Sequence, residues 1–304
     1  MKQAEAILKS SGYEEISLSS LSTSDYSELS GLTECMLDYC EPRHISLSLP
    51  SLRADSFSAE LMERVQKVRK SGLTFACEAG TQRLRDVINK NITEEDVLHA
   101  CEIAFQGGWN NVKLYFMIGL PTETSEDLDG ISEICKKVAY CWRMNTNNRA
   151  RGVKITASAS CFVPKPQTPF QWDAQNTFAM LRGKQDYMKQ IMKTKNITYN
   201  WHDAQTSVME GVIARGDRRQ SKAIYLAWQR GCKFDGWDQL FNYDTWMQAF
   251  ADCGLDPEFY ASRQRPLDEV FPWDHIGCGT DKRHLIREWQ RSRSAEITPD
   301  CMQN

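Results

Sequence analysis

The apolar positions of the chain follow two rhythms in turn. Short runs rich in β-branched and aromatic residues occur at 15–21 (EISLSSL), 44–49 (HISLSL), 73–77 (LTFAC), 112–118 (VKLYFMI) and 152–161 (GVKITASASC). These read as strands, and 197–201 reads as a sixth. Between them the spacing changes to that of helices, over 26–39, 58–70, 93–106, 125–142 and 177–193. Leu61, Val65 and Val68 show the helical period in the second. Thr93-Glu94-Glu95-Asp96 resembles a capping box at the start of the third. Strand–helix units of this length predict an α/β fold with a parallel sheet and right-handed crossovers. The first visible element is a helix, with Ala4, Ile7 and Leu8 on one face, so a preceding strand is expected to be missing.

The run at 112–118 is too continuous for a half-exposed strand and predicts burial on both faces. It nevertheless carries Lys113 and Tyr115, which are two apart and therefore share a face. That face would be the lumen of a barrel, where a polar pair has to be used or satisfied. Ser158 and Ser160 alternate in the same way on the next strand, so these four are candidates for the substrate side. After about residue 200 the texture shifts to short helices, at 221–230 and 243–253, with Trp201, Trp228, Trp237, Trp246, Trp273 and Trp289 among them. The expected division is a barrel over 1–200 and a helical, Trp-rich extension or lid over 201–304.

Composition narrows the function. The 304 residues are 41% apolar with a net charge of -3, acids and bases being mixed along the chain. That balance gives no electrostatic support for nucleic-acid binding. No apolar run reaches membrane-spanning length and no secretory segment opens the chain, so a cytoplasmic protein is expected. Eleven cysteines without C-x-x-C or C-x-x-x-C-x-x-C fit a reducing compartment and supply no recognisable metal-ligand set. Most read as small core residues. The five histidines show no ligand spacing either, and His202-Asp203 reads as structural.

In a parallel α/β sheet, ligands bind at the carboxyl ends of the strands. The stretches there are 19–26, 50–57, 78–84, 119–124 and 162–172, all with polar or conformationally special residues. Taken in order, ISLSLPSLRADSF, EAGTQRLRDVINKNITEEDV, VKLYFMIGLPTETSEDL and SASCFVPKPQTPFQW resemble the core of radical S-adenosylmethionine (SAM) enzymes, in particular the cobalamin-binding type. The resemblance covers roughly residues 1–290. It implies a partial (βα)6 TIM-like barrel whose first strand and cluster loop, C-x-x-x-C-x-x-C, are absent from this chain. A complete protein would bind a 4Fe-4S cluster and SAM, possess a cobalamin domain in some members, and generate a 5'-deoxyadenosyl radical on an unknown substrate. Without the cysteine triad this chain is not expected to cleave SAM, and its open barrel edge is expected to promote association.

The resemblance also distributes roles. Glu78 would contact the ribose hydroxyls or the amine of SAM; as a bare residue it equally suits a helix N-terminus. Lys90 would lie near the SAM carboxylate, or serve as a helix-end lysine. Arg53 would pair with a carboxylate, within SAM or within the protein. Ser20, Ser22 and Asp25 would support the SAM amine or cap the following helix. Gly119, Leu120 and Pro121 form the turn beside the adenine, where glycine permits close approach and proline ends pairing. Phe162 and Val163 would clamp the adenine or pack in the core, with Lys165 on the substrate side. Two other classes stand beside this reading: a non-catalytic remnant that binds a partner, and an ordinary barrel enzyme with a phosphate loop, for which no convincing Gly-rich segment is found.

Overall fold

A computed structural model describes residues 1–19, 26–48, 73–147 and 149–299. The α/β class is observed, with all strand pairs parallel. β1 (Glu15–Ser17) and β2 (Ser46–Ser48) form one ladder. β3 (Leu73–Glu78), β4 (Asn111–Ile118), β5 (Lys154–Cys161) and β6 (Ile197–Trp201) form a second, in that order. Among the described residues no pairing joins the two ladders. The helix expected over 58–70 lies outside the described residues.

The helices are α1 (Lys2–Ser11), α2 (Leu29–Cys40), α3 (Gln82–Val87), α4 (Glu94–Gln106), α5 (Ser125–Asn145) and α6 (Phe178–Ile191). α4 starts where the sequence signals it. Thr93 Oγ1 accepts the Asp96 N–H at 3.1 Å, and Asp96 Oδ2 accepts the Thr93 N–H at 2.7 Å, so two otherwise orphaned donors are satisfied reciprocally. α3 is short, and Thr81 caps it by accepting the Leu84 N–H.

The four-stranded sheet is apolar on one face. Phe75, Leu114, Phe116, Ile118, Ile155 and Ala157 are fully buried there, against Val97 and Phe105 of α4, Ile131 and Cys135 of α5, and Leu181 of α6. This corrects the expectation that β4 is buried on both faces: Tyr115 is 40% exposed and Lys113 half-buried, while their neighbours at even positions are inside. Only the helix-facing side chains of the run needed to be apolar. Met117 made the run look continuous because its flexible side chain tolerates the other face.

Beyond the sheet run α7 (Ala204–Ala214), α8 (Gln220–Gln229), α9 (Tyr243–Asp252), α10 (Pro257–Ala261) and α11 (Lys282–Arg293). The sequence signals α8 and α9 and misses the other three. The buried cluster under the sheet continues through Val212, Ala223, Phe250 and Ala261. Two buried arginines tie this region together through carbonyls. Arg215 donates to Ala261 O at 2.8 Å and Gln171 O at 3.1 Å, and Arg265 donates to Arg215 O and Tyr260 O at 3.0 Å. Burial, and secondarily the nearby Arg265, lowers the pKa of Arg215 to about 9. Past α11 the chain returns to the connection between α3 and α4, where the Thr298 N–H donates to Asn89 Oδ1 at 2.9 Å. Among the described residues no helix is long and apolar enough to cross a membrane.

Candidate functional site

The carboxyl end of β3 is a strained turn. Glu78 has φ +62°, and the Ala79 N–H donates across it to Cys77 O at 2.8 Å. A γ-turn with a positive central φ is rare, and a glutamate has no glycine-like freedom to adopt it. The β3–β4 register shifts at the same place. Such outliers concentrate where function needs a side chain re-aimed.

What Glu78 faces is Lys90. Its Oε1 lies 3.1 Å from Lys90 Nζ, with the two side chains 25% and 33% exposed. Twelve residues separate them, and α3 closes the gap. After α3, Asn89 takes φ +51° and the Lys90 N–H donates to Arg85 O, which folds the chain back towards the strand. Two candidates read separately from the sequence thus form one half-exposed ion pair at the strand end.

The loop between β3 and α3 is pinned from the other side. A Cβ on Gly80 would stand 2.1 Å from Asp127 O, and one on Gly130 2.5 Å from Gly80 O. The two backbones touch where only glycines allow it. Thr81 and Arg83 both donate to the Asp127 carboxylate, and Arg83 also reaches Thr122 O at 3.0 Å and Thr122 Oγ1 at 3.1 Å. Asp127 in turn accepts the Thr124 N–H at 2.8 Å at the start of α5. Burial pushes its carboxyl up, but these donors outweigh it and the pKa falls below the ordinary value.

The turn after β4 closes on itself. The Glu123 N–H donates to Leu120 O at 3.2 Å across Pro121 and Thr122. Thr122 has φ +64° at the position where a type II turn prefers glycine or asparagine. Gly119 has φ +81°, and a Cβ there would meet Leu181 of α6 at 3.1 Å. Glu123 Oε2 accepts the N–H groups of Gly119 at 2.9 Å and Leu120 at 3.4 Å, while Oε1 pairs with Lys184 at 2.5 Å. Burial raises the Glu123 pKa against the lowering influence of Lys184 and the two amides. Glu123, Lys184, Asp127, Arg83 and Thr122 were not singled out from the sequence. The available signal was Thr124-x-x-Asp127, a second capping pattern like that at Thr93.

The remaining candidates divide by location. Leu120 is 2% exposed, packed with Ala79, Leu84 and Val87 beneath the rim, and Phe162 packs against the same cluster. Phe162 meets Phe170 edge to face at 5.8 Å. Val163 is buried, and Pro121 is half-buried. Lys165 forms an ion pair with Glu210 of α7. Lys113 Nζ donates to Tyr115 OH at 2.8 Å, and Ser160 donates to Phe116 O at 3.4 Å. Ser20, Ser22, Asp25 and Arg53 lie outside the described residues. Asp203 caps α7 by accepting the Thr206 N–H at 2.9 Å, and His202 offers its carbonyl to Gln185, in keeping with a structural pair.

Three of the core cysteines, Cys77, Cys101 and Cys135, are poor candidates for metal ligation. Ligation requires thiolates. Burial first of all pushes the Cys77 thiol up to about 12, and Cys101 and Cys135 are raised by burial too. Among the described residues no three His, Cys, Asp or Glu side chains gather as a metal site. The strand-end acceptor Glu78 has another capability: a half-exposed carboxylate at the sheet's carboxyl edge can accept from vicinal hydroxyls.

Residues 1–135 match the family model of the radical SAM superfamily. The radical SAM match therefore includes β1 to β4, the Glu78–Lys90 pair, the Gly119 turn and the start of α5. The chain is also 32% identical, over 224 residues, to a protein of Methanocaldococcus jannaschii described as uncharacterized. That alignment takes in 74% of this chain and 46% of the relative, so the chain spans about half the length of the relative it matches.

Proposed function

We propose that this chain is the SAM-binding and substrate-facing wall of a radical SAM enzyme, built on a (βα)6 barrel arrangement over 1–200 with 201–304 as its helical extension. The observation that carries the proposal is the strained Glu78 turn with its Lys90 partner, inside the radical SAM match. Glu78 would accept the ribose hydroxyls of SAM. Lys90 would hold that carboxylate in place and offer its remaining ammonium protons to the methionine carboxylate. The Gly119–Glu123 turn would hold the rim rigid, its polar groups being largely consumed by Glu123. Phe162, above the Leu120 cluster, would present an aromatic edge to the adenine.

SAM bound to the complete protein would supply a 5'-deoxyadenosyl radical. Among the described residues no set of three cysteines gathers to hold the cluster that such chemistry requires.

The proposal is tested by titrating the purified protein with S-adenosylhomocysteine, which carries the nucleoside, amine and carboxylate without needing reduction. Saturable binding of one equivalent supports it. Absence of saturation at millimolar ligand contradicts it and leaves a barrel-derived binding protein as the reading.

A further inference from the structure

The polar face of the four-stranded sheet is ordered in rows. Thr74, Lys113, Thr156 and Thr198 stand side by side across β3, β4, β5 and β6. The next row is Ala76, Tyr115, Ser158 and Asn200. Neighbouring members are one strand spacing apart, about 4.8 Å, close enough for one small ligand to meet several of them.

The charge on this face is one-sided. Lys113 Nζ donates to Tyr115 OH at 2.8 Å and lies 4.5 Å from that ring. No carboxylate pairs with it among the described residues. Lys154, beside Asn111 at the amino edge, belongs to the same face by alternation and adds a second positive charge. Glu78, which continues this face at the carboxyl end of β3, is engaged by Lys90. Thr156 and Ser158, next to Lys113 and Tyr115 in their rows, are only 9% and 7% exposed. A cation flanked by hydroxyls, with no acid to neutralise it, is a donor set lacking its acceptor.

We propose that these rows form a subsite for a compact oxyanion, a carboxylate or phosphate group, with Lys113 as its charge and Tyr115, Thr156 and Ser158 as its hydrogen-bond donors. That this anion belongs to the substrate rests on the SAM-rim reading; the anion chemistry itself does not. Lys113 gives a point charge suited to either group, and the hydroxyls can turn to donate.

Calorimetric titration of the purified chain tests the subsite, with inorganic phosphate in one arm and malonate in the other. One or both anions should saturate, and the better one identifies the group. Lys113→Met should weaken that binding at least about tenfold, the loss expected of a charged donor, and Lys113→Arg should largely retain it. Tyr115→Phe, which preserves volume and charge, should weaken it several-fold. No saturation with either anion, or equal binding by Lys113→Met with an unchanged circular dichroism spectrum, overturns the proposal. S-adenosylhomocysteine is titrated in parallel. If it binds and the anions do not, only the subsite fails. If the anions bind through Lys113 and it does not, the SAM rim fails and the subsite stands.

Discussion

Lys184 Nζ lies 2.5 Å from Glu123 Oε1, and the other oxygen of that carboxylate gathers the N–H groups of Gly119 and Leu120. The Glu123 side chain is 1% exposed. This links α6 to the turn after β4. Glu123→Ala orphans two amides and a lysine together, and should cost about 2–4 kcal/mol in chemical denaturation. Glu123→Gln should cost clearly less, because an amide oxygen can still accept from the backbone. The pH dependence has a definite sign. Burial raises the Glu123 pKa, so the folded state holds this proton more tightly than the unfolded chain. Stability from this group is present below the ordinary glutamate value and is lost as pH rises through the raised one. Glu123→Gln should abolish that loss, which stability measured across the interval will show.

Asp127 behaves in the opposite way. Its burial is outweighed by Thr81, the Thr124 N–H and Arg83, and its pKa is lowered. Its contribution is therefore present above the ordinary aspartate value and lost as pH falls through the depressed one. Asp127→Asn should destabilise the protein by about 1–3 kcal/mol at neutral pH, mostly through its hydrogen bonds, because Arg83 is 44% exposed and its charge is screened. The gap between variant and wild type should narrow in acid as pH falls through the depressed value.

These two acids also show what could be read in advance. The strand–helix order, the capping box at Thr93 and the six strands stood out because each is a local pattern. The rim motifs stood out by resemblance. The braces did not, because each joins segments far apart in sequence: Arg83 to Asp127, Glu123 to Lys184, Arg215 to Ala261. The Glu78–Lys90 pair was half legible. Both residues were singled out, but their meeting depends on the left-handed Asn89 and the short α3, which no periodicity announces.

Gly80 and Gly130 make a sharp packing test. An added Cβ would lie 2.1 Å from Asp127 O at the first and 2.5 Å from Gly80 O at the second. Both near atoms are backbone and cannot swing aside. Gly80→Ala and Gly130→Ala should each lower stability by more than about 2 kcal/mol. The double variant should cost less than the sum, because both disturb one contact. Thermal and denaturant unfolding of the three variants would establish this.

Thr122 carries positive-φ strain in a β-branched residue. Replacing it with glycine removes the Cβ clash and loses one partly exposed bond from Arg83. The relief of about 1–2 kcal/mol should exceed that loss even after the extra chain entropy of glycine. Thr122→Gly should therefore raise the denaturation midpoint slightly, whereas Thr122→Val, which keeps the strain and loses the bond, should lower it.

The most direct measurement is the affinity of 5'-methylthioadenosine, the nucleoside part of SAM, for wild type, Glu78→Gln and Lys90→Met by titration calorimetry. A ribose held by an ionised Glu78 predicts saturable binding that Glu78→Gln weakens by about 10–100-fold, the range for a hydrogen bond to a charged acceptor. Lys90→Met should weaken it less, because it removes only the partner of that carboxylate. Equal affinity of Glu78→Gln and wild type, or no saturable binding by wild type, would contradict the placement of SAM at the end of β3.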